Sequence, residues 1–216
     1  LTLTYNVVRS CTDTLTSNIA MSLPLARILP NDAKEGMQER GRRLEKMIDG
    51  VRGAENHHML EQRRVRDAVL HGDGYIKLVD DGRPRLMRVH PSRLVVDDNA
   101  AMDGVAHTIY HYEYVSREVL LAKHGDLEAI NAAKRPKAAP SMVDRDLVRV
   151  IEAHSLGFAD KPGRRILCTD AGMISVCDWN GDLPYSHLSY SDDECGYHGL
   201  GLGEILRGIQ DEINRV

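Results

Sequence analysis

Apolar residues recur at three- and four-residue steps through the opening third of the chain, and the step then shortens to two. Val8, Cys11, Leu15, Ile19 and Leu23 predict a first helix that Pro24 stops. LPLARILPNDAKEG follows, broken at Pro30 and Asn31, before a charged helix EGMQERGRRLEKMIDG whose inward face is Met37, Leu44 and Met47 or Ile48. A third helix near 55–71 has Met59, Gln62, Val65 and Val69 in step, carries RRVRD on its wetter side and ends in HGDG at 71–74.

Residues 75–79 and 85–89, joined by Asp80, Asp81, Gly82, Arg83 and Pro84, read as a hairpin, with further strands at 94–96 and 107–114. Ser116 is placed to cap the helix REVLLAKHGDLEAINAAK, which has Glu118 in its first turn and Leu120, Lys123 or His124, Leu127 and Ile130 along one stripe. RPKAAP at 135–140 is a connector, because two prolines disfavour continued helix. LVRVIEAHSLG and RRILCTDAGMISVCDW then read as strands around turns at 157–163 and 170–172. A polar stretch, NGDLPYSHLSYSDDECGYHGLGLG, leads to a last helix with Ile205, Ile209, Ile213 and Val216 on one face. The order predicts an α+β fold: helices with a small mixed or antiparallel sheet, then a small α/β domain between two helices.

Composition narrows the function classes. The 216 residues carry 28 Lys plus Arg against 32 Asp plus Glu, a net charge of -4, which argues against a global electrostatic grip on nucleic acid. A protein that lets DNA slide past it is still allowed. One Trp and one Phe leave a core of Leu, Val, Ile and Met. Cysteines 11, 168, 177 and 195 are too few and too irregular for a disulfide scaffold and fit a reducing compartment. No run of about 18 apolar residues predicts a membrane span, and no signal peptide opens the chain. The start without Met and the unfinished helix at QDEINRV read as a piece of a longer protein.

Candidate chemistry is sparse. Gly199, Gly201 and Gly203 precede a helix, but no hydrophobic strand feeds them and no Walker lysine follows, so they read as a flexible helix entry rather than a phosphate cradle. His107 and His111 fall on strand text, and His57 and His58 are adjacent, so neither pair has metal-site spacing. His187, Asp192, Asp193, Glu194, Cys195 and His198 form the richest polar cluster, read as a solvated loop; Asp97, Asp98 and Asp103 read as a turn. Cys177, His187 and Asp192 spell a triad only if the fold assembles them, and Cys168 and Cys177 read as small buried hydrophobes. Basic groups at Arg40, Arg42 and Arg43, at Arg63, Arg64 and Arg66, at Arg83, Arg85 and Arg88, and at Lys134, Arg135 and Lys137 are interrupted by acids and read as solvated faces and salt bridges. No catalytic residue, metal or cofactor is expected. Two alternatives stay open: a nucleic-acid-binding module, and a metal-dependent hydrolase using the 187–198 cluster.

TYNVVRSCTDTLTSNIA, RDAVLHGDGYIKLVDDG, RLMRVHPSRLVVDDNA, YVSREVLLAKHG and above all GYHGLGLGEILRGIQDEIN, taken in order, resemble the portal proteins of tailed bacteriophages and prophages. The resemblance spans nearly the whole chain. It implies a noncatalytic head-tail connector: a homo-oligomeric ring, in that family a dodecamer, at one capsid vertex of the virion, assembled in the bacterial host cytoplasm. Such a ring conducts double-stranded DNA by weak, sequence-independent contact during packaging and ejection. The partners implied are the terminase large subunit, the major capsid or scaffolding protein and a head-completion or tail adaptor protein, with no membrane. By the same analogy, residues 1–115 are wing-like, 116–134 a stem-like helix, 135–202 a linker and clip-like β domain, and 203–216 the start of a returning stem-like helix.

Overall fold

The computed structural model describes residues 6–22, 26–29, 36–80, 82–97, 100–134, 146–158, 161–191 and 196–215. Pro24, Pro30, the RPKAAP connector, Asp192, Asp193, Glu194, Cys195 and Val216 lie outside them. In chain order come α1 (Val7–Ala20), α2 (Met37–Ala54), α3 (His57–His71), β1 (Asp73–Asp80), β2 (Pro84–Val89), β3 (Leu94–Val96), β4 (Thr108–Ser116), α4 (Arg117–His124) and α5 (Glu128–Asn131). There follow β5 (Leu147–Ser155), β6 (Gly163–Cys168), β7 (Met173–Trp179), β8 (Tyr185–Ser189), α6 (Leu202–Ile205) and α7 (Arg207–Arg215). Helices and two small antiparallel sheets make this an α+β fold. The chain divides into two compact units: Leu1–Pro91 with Pro184–Asp193 and His198–Val216, and Ser92–Leu183 with Glu194–Tyr197.

In the first unit α1 starts where the Asn6 side chain accepts the Arg9 N–H at 2.8 Å. Its buried residues are Thr12 and Ala20, while Ile19 is exposed, so the stripe through Cys11, Leu15 and Ile19 is not the innermost face. Small buried residues at Thr12 and Ala20, eight positions apart, let α1 approach α3 closely, and Thr12 tolerates burial because its hydroxyl donates to the Val8 carbonyl at 2.7 Å. Helix α2 departs from most of its predicted face: Met37, Leu44 and Met47 are exposed, Ile48, the alternative to Met47, is half-buried, and Gly41 is its buried residue, facing the Ile28 carbonyl. Helix α3 buries Val65, Ala68 and Val69 but also Glu61 and Asp67, whereas Met59 is half exposed. Those acids tolerate burial through arginines: Arg64 donates to Glu61, and Arg88 to both oxygens of Asp67 at 2.6 Å.

The β1–β2 hairpin forms as its alternation predicts, with Tyr75 opposite Val89 and Asp80 opposite Pro84. Its other edge is taken by β8, which pairs Asp73 with Ser189 and Lys77 with Tyr185. That strand lies inside the stretch read as a polar loop and, by analogy, as clip. YSHLS has too little apolar alternation to announce a strand; what it gains is the buried β1 edge, where Tyr75 and Ile76 are almost fully covered.

The second unit is a five-stranded sheet in the order β3-β4-β5-β6-β7. Strand β4 pairs with β5 along its whole length, from Thr108 opposite Ser155 to Ser116 opposite Leu147, so no structural boundary falls at 115–116. Leu120, Ile130, Ala133, Val148 and Val150 form a core between this sheet and α4–α5. The single helix expected from 117 is two, because Gly125 follows α4 at φ 83°, a left-handed conformation that suits glycine. Ser116 occupies the N-cap position without a side-chain capping bond. Arg117 does more: its guanidinium bonds the Asp146 carboxylate and the carbonyls of Ile130, Asn131 and Ala133, tying β5 to the end of α5.

Candidate functional site

A dense polar constellation of the first unit is centred on Asp73, the first residue of β1 and only 4% exposed. His187 of β8 contacts one carboxylate oxygen through Nε2 at 2.7 Å, and His198 contacts the other through Nδ1 at 2.7 Å. The Gly199 N–H adds a third bond at 2.9 Å. Tyr75, two residues along β1, stacks on the His187 ring with centroids 4.8 Å apart. Burial pushes the Asp73 carboxyl up, but the bonds from His187, His198 and Gly199 outweigh it and hold the group at about 2. The carboxylate is therefore ionised, and each imidazole serves it as an N–H donor. With three donors and so low a basicity, Asp73 is a poor proton acceptor; chemically the arrangement is a lock joining β1, β8 and the approach to α6.

Backbone crossing just beyond this lock explains the glycines. A Cβ on Gly201 would stand 2.5 Å from the Gly72 nitrogen and the Leu70 carbonyl oxygen, and one on Gly199 would stand 2.6 Å from the Gly72 oxygen. Gly72 itself, at φ 96°, ends α3 and accepts the Tyr190 N–H at 2.9 Å. GLGLG is thus a packed crossing over the end of α3 rather than a flexible entry, and α6 behind it has four residues.

Of the cluster read from sequence, His187 and His198 meet on Asp73, a residue the sequence did not single out. Its only local signal is HGDG, since its partners lie 114 and 125 positions away. Cys177 and His187 fall in different units, so the structure gives no support to that triad. Cys177 is exposed and Cys168 intermediate, not the buried hydrophobes expected. His111 is buried with Nε2 3.3 Å from Glu113, while His107 is exposed. His57 lies 3.9 Å from Glu61, and burial, then the Arg52 charge, lower its pKa; His58 sits beside Gln62. Asp97 and Asp103 are turn residues whose oxygens accept the Ala100 and Val105 N–H groups.

Several of the basic residues are engaged with acids. Arg43 pairs with Glu39, Arg66 with Asp13 and Arg88 with Asp67; Arg40 and Arg42 are exposed on α2. No protein-family description matches this chain, and no curated protein matches it.

Proposed function

We propose that this chain belongs to a ring-forming portal subunit that guides double-stranded DNA without reading its sequence. One observation carries the reading. Helices α6 and α7 follow an entry fixed at the Gly72–Gly201 crossing, yet Ile205 at the end of α6 and Ile209 and Ile213 of α7 are 50%, 56% and 36% exposed. The single last helix expected from the sequence is thus two segments that part at Leu206. A rooted helix pair with exposed isoleucines is a surface to be covered by another protein surface, and a closed ring of identical subunits covers it with a neighbour. The ordered text from TYNVVRS to GIQDEIN supports the same reading.

The charge pattern is compatible with a conduit. Arginines spent on Asp13, Glu61 and Asp67 are less available to phosphates, and each phosphate left unneutralised lowers affinity and its salt dependence. Terminase, capsid or scaffolding protein and a tail adaptor are the partners this function requires. The test is mass photometry and particle imaging of the intact gene product, with a metal-supplemented hydrolase screen. Closed rings without turnover are expected; a monomer whose turnover disappears when His187 or His198 is replaced would overturn the proposal.

A further inference from the structure

A second polar group of the first unit lies apart from Asp73. Asp67 and His71 are four residues apart near the C-terminal end of α3, and so share a helix face. His90, the residue after β2, stands against them with its ring 5.1 Å from that of His71, edge to face. One carboxylate oxygen and one nitrogen from each histidine all lie within 4.8 Å of one another. We propose that Asp67, His71 and His90 bind a divalent transition metal, zinc by donor chemistry, with solvent completing a tetrahedral set.

The donor set suits zinc: two imidazoles and a carboxylate are borderline and hard ligands, and bonds of about 2.0–2.2 Å place tetrahedral donors about 3.4 Å apart. The remaining closure is within reach of side-chain torsions, because His71 is exposed and His90 half-buried. Arg88 shares the carboxylate with the site. Its Nε and Nη2 each take one oxygen of Asp67 at 2.6 Å, but an ionised carboxylate offers about four lone-pair positions, so one oxygen can serve both arginine and metal. In that arrangement Arg88 orients the ligating carboxylate, as outer-shell partners do at metal centres. The ion would fasten the end of α3 to the residue after β2, the two points that flank the hairpin. This site is independent of the ring reading, since it concerns one subunit alone.

Calorimetric titration of the chain with zinc chloride, paired with cobalt(II) absorption, tests the site. One equivalent is expected to bind with micromolar or tighter affinity, to give the intense visible bands of a four-coordinate cobalt centre, and to raise the melting temperature. His71→Ala is expected to weaken binding by about tenfold or more, and the His71→Ala/His90→Ala pair to abolish it. Exposed His58 on the same helix is the control: His58→Ala should leave affinity unchanged. Absence of saturable binding, a six-coordinate cobalt spectrum, or binding that the double variant retains would overturn the proposal. Folding of the variants is read separately from circular dichroism, and His71→Ala removes an exposed side chain.

Discussion

The carboxylate of Asp73 keeps its charge with almost no contact with water, and three donors make that possible. Its folded pKa of about 2 lies below the ordinary 3.8, so folding favours the ionised form. The stability it contributes is full above about pH 4 and is lost as pH falls through about 2, an amount of about 2 kcal/mol. Asp73→Asn is therefore expected to lower stability at neutral pH by about that much and to flatten the acid limb of a stability–pH curve. Urea unfolding at a series of pH values checks it, and an unchanged acid limb in the variant would refute the lock. Asp67 is a companion case: its buried carboxylate rests on Arg88, and Arg88→Ala should cost about 3 kcal/mol by stranding the charge. Sequence reading could flag His187 and His198 by composition, but it could not find Asp73 or the Asp67–Arg88 pair. Such bonds are made by the fold across long separations and leave no local spacing to read.

At the level of elements, periodicity identified most strands and placed the helices, but not which helix faces are buried. The hairpin from Asp73 to Val89 and the strands β4 to β7 follow from alternation bounded by turn residues. Helix faces were harder, because a stripe of large apolar residues is not always the covered one: α1 buries Thr12 and Ala20, and α2 buries Gly41. Strand β8 was hidden because its stability is borrowed from β1, and the break after α4 because one glycine outweighed a favourable stripe. Glycines give this level its test. Gly201→Ala would force a methyl group into the Gly72 and Leu70 backbone and should cost about 1–3 kcal/mol, with faster hydrogen exchange at Tyr190 and Gly199. Gly50, inside α2, meets no neighbour within 4 Å, so Gly50→Ala should instead stabilise by about 0.5–1 kcal/mol. Thermal melts that shift both variants in the same direction would contradict this distinction.

Across the whole molecule, the chain does not lay out its units in sequence order. Residues 184–193 and 198–216 return to the unit begun by α1 to β2, so a division drawn along the sequence at 115, 134 and 202 could not match the contacts. The α+β class was legible because it depends on element content; the interleaving was not, because it depends on β8 choosing the β1 edge. That return also roots α6 and α7 in the first unit while Ile209 and Ile213 stay in water. Substitution at exposed positions rarely changes a subunit's own stability by more than about 0.5 kcal/mol, so Ile209→Asp/Ile213→Asp should melt close to the parent. In an assembly the same change places two carboxylates against a neighbour's surface, where desolvation costs several kcal/mol unless a cation answers each. The expected outcome is an intact gene product that folds normally but remains monomeric by mass photometry at concentrations where the parent forms rings. Rings that survive the double substitution would show that these isoleucines are not an assembly surface. A large drop in melting temperature with assembly unaffected would instead assign these isoleucines to the subunit's own packing, the role that their spacing alone suggests and their exposure argues against.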